Sequence, residues 1–211
     1  PVLVILLFLM VSVERALAAL PSSTPPCVSV ERIRELEETL RTLDPTSPSA
    51  KRHVNSLVTV IADRRCPAVL RQRAGMLLGR IGKPAGAAVP VLLRLRSGSD
   101  RYWALKSLGL FGDVAASAVD QLAPELHDPS RGYNDRILVA DVLGQIGTGP
   151  AIEALGRQLV QSGRVLSGDS SPNDASSQLL IKTMLDAIAL AGPRAVGALP
   201  AIVRSLENPD S

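Results

Sequence analysis

The side chains able to do chemistry are few, and their spacing decides against most reactions. His53 and His127 are the two histidines of the 211-residue chain, and neither has a cysteine or a second histidine at metal-ligand spacing. His53 reads as a solvent-facing residue on a polar helix side. His127 reads as a helix C-terminal residue, where positive charge is favoured. Gly75, Gly79, Gly82 and Gly86 could suggest a phosphate loop, but they fall at helical spacing or at a helix end. No strand pattern precedes them and no Gly-Lys-Ser/Thr follows. There is no Gly-x-Ser-x-Gly and no paired-carboxylate constellation. The expectation is a chain with no catalytic residue, no metal site and no cofactor.

Two cysteines and one aromatic pair remain. In an oxidising compartment Cys27 and Cys66 could form one disulfide tying the N-terminal segment to the first helix pair, and the alternative is two independent thiols. Tyr102 and Trp103 form the one aromatic cluster. They suit packing in a core or groove, or an interaction hot spot if the indole is exposed beside basic residues.

Charge is the sharper clue. From Arg64 to Lys106 ten basic residues stand against the single acid Asp100, a net of +9, whereas from Ser107 onward seven basic residues stand against twelve acids, a net of −5. One reading is a solvated or mutually paired set of arginines. The other is an anionic partner: an acidic protein surface, an anionic glycan or lipid head groups. Arg94, Arg96, Arg101, Trp103, Arg157 and Arg204 are the candidate binding residues. Arg94, Arg157 and Arg204 fall on the polar sides of three second helices, and Arg94 and Arg204 lie twelve residues past Gly82 and Gly192. Guanidinium groups on one face suit carboxylate, sulfate or phosphate, which arginine holds bidentately. The competing reading is that they cap helices or pair with loop acids such as Asp128.

The elements that must position these residues are helical. Ala, Leu, Val and Ile supply nearly all the apolar content while aromatics are 2% of residues, and no series of alternating strands is present, so the fold class is all-α. In residues 70 to 96, Leu70, Ala74, Leu77, Leu78 and Ile81 form one apolar stripe at helical period. Gly82 and Pro84 end that helix. A second helix buries Val89, Leu92 and Leu93. This two-helix unit recurs. Leu77 to Gly82 aligns with Ser107 to Gly112, with Val142 to Gly147 and, more weakly, with Ala187 to Gly192, so the closing glycines are 30, 35 and 45 residues apart. Ala74, Ala104, Val139 and Met184 share one stripe position, and Leu78, Leu108, Leu143 and Ile188 another. Val89, Val119 and Leu199 are equivalent in the second helices. Pro124 should kink or shorten the second copy's second helix. Residues 163 to 177, rich in Ser, Gly, Asp and Asn, read as an exposed insertion loop. A hairpin this small cannot bury its own apolar face, so the copies must stack.

The recurring pattern, Arg, two residues, Ala, then Leu-Gly-x-Ile-Gly, then Ala-Val-Pro-x-Leu, resembles HEAT repeats of the short bacterial type over about residues 67 to 210. The resemblance implies a right-handed α-solenoid whose second helices line a concave binding face. It also implies that Arg71, Arg101 and Arg136, near the starts of the first helices, pair with acidic loop residues of neighbouring repeats; the fourth copy departs, with Ile181 there. It does not imply a substrate.

Ahead of the repeats the sequence changes character. Val2 to Val13 is almost wholly apolar, and Ala16-Leu17-Ala18 follows as a small-x-small cleavage motif. About a dozen apolar residues match a signal-peptide core and fall short of the roughly 20 that span a bilayer. Residues 1–18 therefore read as a signal peptide or a membrane anchor, with a buried helix as the third reading. Residues 19–28 read as a linker, and 29–66 as an irregular helical hairpin covering the end of the array. In it Ser29 to Leu43 is one helix, with Val30, Ile33, Leu36, Leu40 and Leu43 inward, and Ala50 to Asp63 is the next. The functional expectation is a non-catalytic protein-interaction or scaffold module, exported or membrane-anchored. Nucleic acid is disfavoured by the export signal. If that signal is misread, the alternative is a lyase-like or DNA-binding, glycosylase-like HEAT protein.

Overall fold

The computed structural model describes Cys27, Glu31, Ile33, Arg34, Glu35 and Glu38, residues 48–167 and 175–193, and residues 195, 196, 199, 200 and 203. The expected signal segment 1–18, most of the linker and Arg204 lie outside the described residues. Among the described residues the regular structure is entirely helical, with no strand.

Helix α1 spans Pro48–Ala62, and α2 spans Ala68–Ile81. A 3-10 segment, Lys83–Ala88, leads to α3, Val89–Arg94. Helix α4, Arg101–Leu110, is followed by the 3-10 segment Gly112–Ala118 and the short α5, Val119–Leu122. Then come the 3-10 segment Ala123–Leu126, α6 (Tyr133–Ile146), α7 (Gly149–Ser167) and α8 (Ala175–Ala191).

Glycine ends the first helix of each copy for a steric reason. Gly82, Gly112, Gly147 and Gly192 all have positive φ, between 54° and 72°, where a Cβ would be strained. Gly147 is in the left-handed helical region, whereas Gly82 has ψ −135°, a turn open to glycine because it has no side chain. Pro124 acts as its missing N–H dictates. Helix α5 stops after Leu122, and the chain tightens into a 3-10 turn with Pro124 near its start.

The apolar stripes become one core. Ala74, Ala104, Val139 and Met184 are fully buried, as are Leu78, Leu108 and Leu143, with Ile188 partly buried at the end of the series. Each first helix packs against the next: α2 on α4, α4 on α6 and α6 on α8. Leu92 and Leu122 fill the space beneath, with Val89 and Val119 beside them. Leu199, the fourth copy's equivalent of Val89, is instead exposed. In the leading segment Ile33 is helical and fully buried, and it joins Val54, Leu57 and Ile61 in the same core. Helix α7 continues through Ser167 and α8 begins at Ala175, so the interruption is shorter than residues 163 to 177. One glycine, Gly163, costs about 1 kcal/mol relative to Ala in a helix interior, too little to stop a 19-residue helix.

Successive first helices meet closely because small residues face the neighbour. A Cβ on Gly144 would lie 2.4 Å from Cβ of Ala187 and 3.2 Å from its backbone Cα. Gly79 and Gly109, at the same register, meet Leu110 and Gln145 of the next copy.

Candidate functional site

Ionic contacts run between copies along the starts of the first helices. Arg71 of α2 donates from Nε and Nη2 to Oδ2 of Asp100, at 3.2 and 2.7 Å, and both side chains are buried. Its Nη1 also donates to the Cys66 carbonyl. Asp100 precedes α4 but makes no side-chain cap to that helix. Its other oxygen, Oδ1, instead accepts from Nε1 of Trp103 at 3.2 Å. The carboxylate that would ordinarily cap a helix is thus diverted to join two copies.

Arg101 repeats the arrangement one copy later. Its Nε donates to Oδ1 of Asp135 at 3.3 Å, and its Nη1 to the Arg96 carbonyl at 2.7 Å. Nη2 lies 2.7 Å from Oε2 of Glu125, an ion-pair contact out of line for a hydrogen bond. Lys83 pairs with Asp113 at 2.9 Å and Lys106 with Asp141 at 2.5 Å. These last pairs join equivalent positions, one residue after and six residues before the closing glycines. The basic first copy and the acidic later copies therefore meet base to acid. Much of the charge asymmetry is internal pairing.

The expected binding residues separate accordingly. Arg101 and Trp103 do not form an exposed hot spot. Arg101 is drawn into the ladder, and the indole of Trp103, 5% exposed, covers Gly75. The exposed member of the aromatic pair is Tyr102, at 62%. Arg96 is half committed, with Nη1 donating to Gln121 at 3.0 Å and Nε 3.4 Å from Glu125. Arg157 pairs with Glu153 of its own helix and not with Asp128. Asp128 is held by Ser130, whose hydroxyl and N–H donate to it at 2.6 and 2.9 Å and keep its carboxyl below the usual range. Arg94, at the end of α3, is exposed and has no ion-pair or hydrogen-bond partner among the described residues. The second copy places Pro124 at the Arg94 position and exposes Asp120 nearby, so the described second helices do not carry a continuous row of arginines.

Tyr102, Arg131 and Asn134 rim an open groove of about 510 Å³ whose floor includes Arg101 and Asp135. Arg131 is loosely held, 3.7 Å from both Glu125 and Asp128. Of the three rim residues, Tyr102 belongs to the aromatic pair already noted in the sequence, whereas Arg131 and Asn134 were not singled out. Arg131 lies in the loop entering the third copy and Asn134 in the first turn of α6, beside Asp135-Arg136. Cys27 and Cys66 are joined by a disulfide with Cα atoms 5.2 Å apart, which fastens the N-terminal segment beside α2. Burial pushes the His127 pKa below its ordinary value; Gln161 opposes this by hydrogen bonding, while the charges of Arg157 and Arg136 add to it. His127 closes the 3-10 turn after Pro124.

Among the described residues no group of three or more His, Cys, Asp or Glu is placed to hold a metal ion, and no helix is long and apolar enough to cross a membrane. No protein-family model matches the chain, and no curated protein matches it.

Proposed function

We propose that this chain is a non-catalytic interaction or scaffold module, built as a right-handed solenoid of HEAT-like hairpins and acting outside the cytoplasm. Its partner is a protein with an acidic surface, met on the concave side lined by the second helices. The observation that carries the reading is the repeated packing of first helix on first helix. That packing commits Arg71 and Arg101 to internal acids and leaves Arg94, on the polar side of α3, without a partner among the described residues. An exposed guanidinium can hold both oxygens of a carboxylate, which offsets the roughly 0.5–1.5 kcal/mol that ordering the side chain costs. Export is supported by the Cys27–Cys66 disulfide, a bond that persists in oxidising compartments, and by the signal-like residues 1–18.

The experiment is binding of the chain from residue 19 onward to an immobilised acidic protein surface over a salt series, with anionic glycan and anionic vesicles in parallel. Binding to the acidic protein should weaken as salt rises. It should also fall in an Arg94→Glu variant of unchanged helicity, and Arg204→Glu should add to the loss. Binding unchanged by charge reversal, or confined to glycan or vesicles, would contradict the proposal.

A further inference from the structure

Arg136 stands in α6 where Arg71 and Arg101 stand in α2 and α4, eleven residues before the closing glycine in each copy. The earlier two present their Nε edge to a carboxylate one copy on, Asp100 and Asp135. In both cases that acid immediately precedes the next arginine, as Asp100-Arg101 and Asp135-Arg136. The fourth copy has Leu180-Ile181 in this place, and Leu180 is buried. The ladder therefore reaches Arg136 with no acid at the equivalent position of the fourth copy, and none among the described residues meets it.

The side chain shows the consequence. Nε of Arg136, the atom that meets the acid in both earlier copies, is buried and has no hydrogen-bond partner among the described residues. The guanidinium is held in place by stacking, with Cζ 4.4 Å from the centroid of the Tyr133 ring. The nearby cation Arg157 is already neutralised by Glu153. A desolvated donor without an acceptor destabilises the free chain, and a carboxylate supplied from outside would relieve that.

We propose that Arg136 is a carboxylate-binding site, completed by an acidic side chain of a partner protein that takes the place Asp100 and Asp135 hold in the earlier copies. Nε is covered in the free chain, so the half-buried guanidinium must turn on the Tyr133 ring to bring its planar edge to both oxygens of one carboxylate. The site is on a first helix, so it does not depend on the second-helix face or on Arg94.

The test uses the full chain, nitrogen-15 labelled, with the arginine Nε–H resonances followed by NMR. The probe is N-acetyl-aspartate methylamide, and its asparagine counterpart is the neutral control. The expected result is a saturable shift of one Nε–H resonance, absent in Arg136→Lys, with the Arg71 and Arg101 resonances unmoved. Arg136→Gln, which keeps the helix, should weaken the probe about tenfold or more. No saturable shift, or an equal response to the asparagine probe, would overturn the proposal. So would binding that emerges only in the Asp169→Asn/Asp174→Asn variant, since the chain's own acid would then fill the place.

Discussion

Replacing Gly75 with alanine should destabilise the chain, although alanine is the better helix former. The added Cβ would stand 2.4 and 2.5 Å from two ring carbons of Trp103, Cζ3 and Cε3. Carbon atoms pack at about 3.5 to 4.0 Å, so the overlap is roughly 1 Å. A flexible side chain could swing away, but this ring is buried and tied through Nε1 to Asp100, which also holds Arg71. Overpacking of this kind costs about 1–3 kcal/mol, and the helix gain of Ala over Gly offsets about 1, leaving a net loss centred on about 1 kcal/mol and reaching about 2. The chain has one tryptophan, so its fluorescence reports on the site directly. Urea denaturation followed by circular dichroism should show the lowered midpoint, and the emission of Trp103 should move to the red. Gly149→Ala, where nothing lies within 4 Å of the new Cβ, is the control and should be neutral or slightly stabilising. Equal or greater stability of Gly75→Ala with unchanged emission would refute the reasoning.

Arg101→Ala should cost about 2 kcal/mol, because it removes the nearest cation from the buried carboxylate of Glu125 and leaves only Arg96 at 3.4 Å and Arg131 at 3.7 Å, whereas Lys83→Ala, in a largely exposed pair, should stay within about 0.5 kcal/mol; urea titration separates the two. His127 should contribute a pH dependence of definite sign. Its folded pKa is lowered, chiefly by burial, so the unfolded chain takes up the proton first as pH falls. Stability should therefore decline as pH drops from about 6.5 toward the lowered folded value, then level off. His127→Gln should flatten that decline, as measured by thermal midpoints across the window.

Much of the helical organisation was legible because glycine and apolar spacing have local causes. The closing glycines mark the ends of α2, α4 and α6, and the stripe through Ala74, Ala104, Val139 and Met184 is the core. Pro124 shortens its helix for a reason visible in one residue. The charge map was harder. Sequence shows that residues 64 to 106 are basic, but whether a base meets an acid or solvent is decided by the approach of helices some 30 residues apart. A signal was present: Lys83 and Asp113, and Lys106 and Asp141, share register with opposite sign. Trp103 was ambiguous for a similar reason, since only the close approach at Gly75 determines that the indole turns inward. The break after α7 is shorter than its polar composition suggests, because the helix carries both Gly156 and Gly163 in its interior.

Five of the ten basic residues from Arg64 to Lys106 are bonded to an acid of the next copy, which makes half of the basic stretch internal structure. A double-mutant cycle on Arg71→Met and Asp100→Asn tests this central claim most directly, with stability measured by urea denaturation at low salt and at about 1 M salt. Both side chains are buried and 2.7 Å apart. The coupling should therefore be about 1.5 kcal/mol or more and nearly the same in both salts, since screening acts weakly on buried pairs. A coupling near zero, or one that vanishes at high salt, would contradict the claim and return these arginines to the pool available for a ligand.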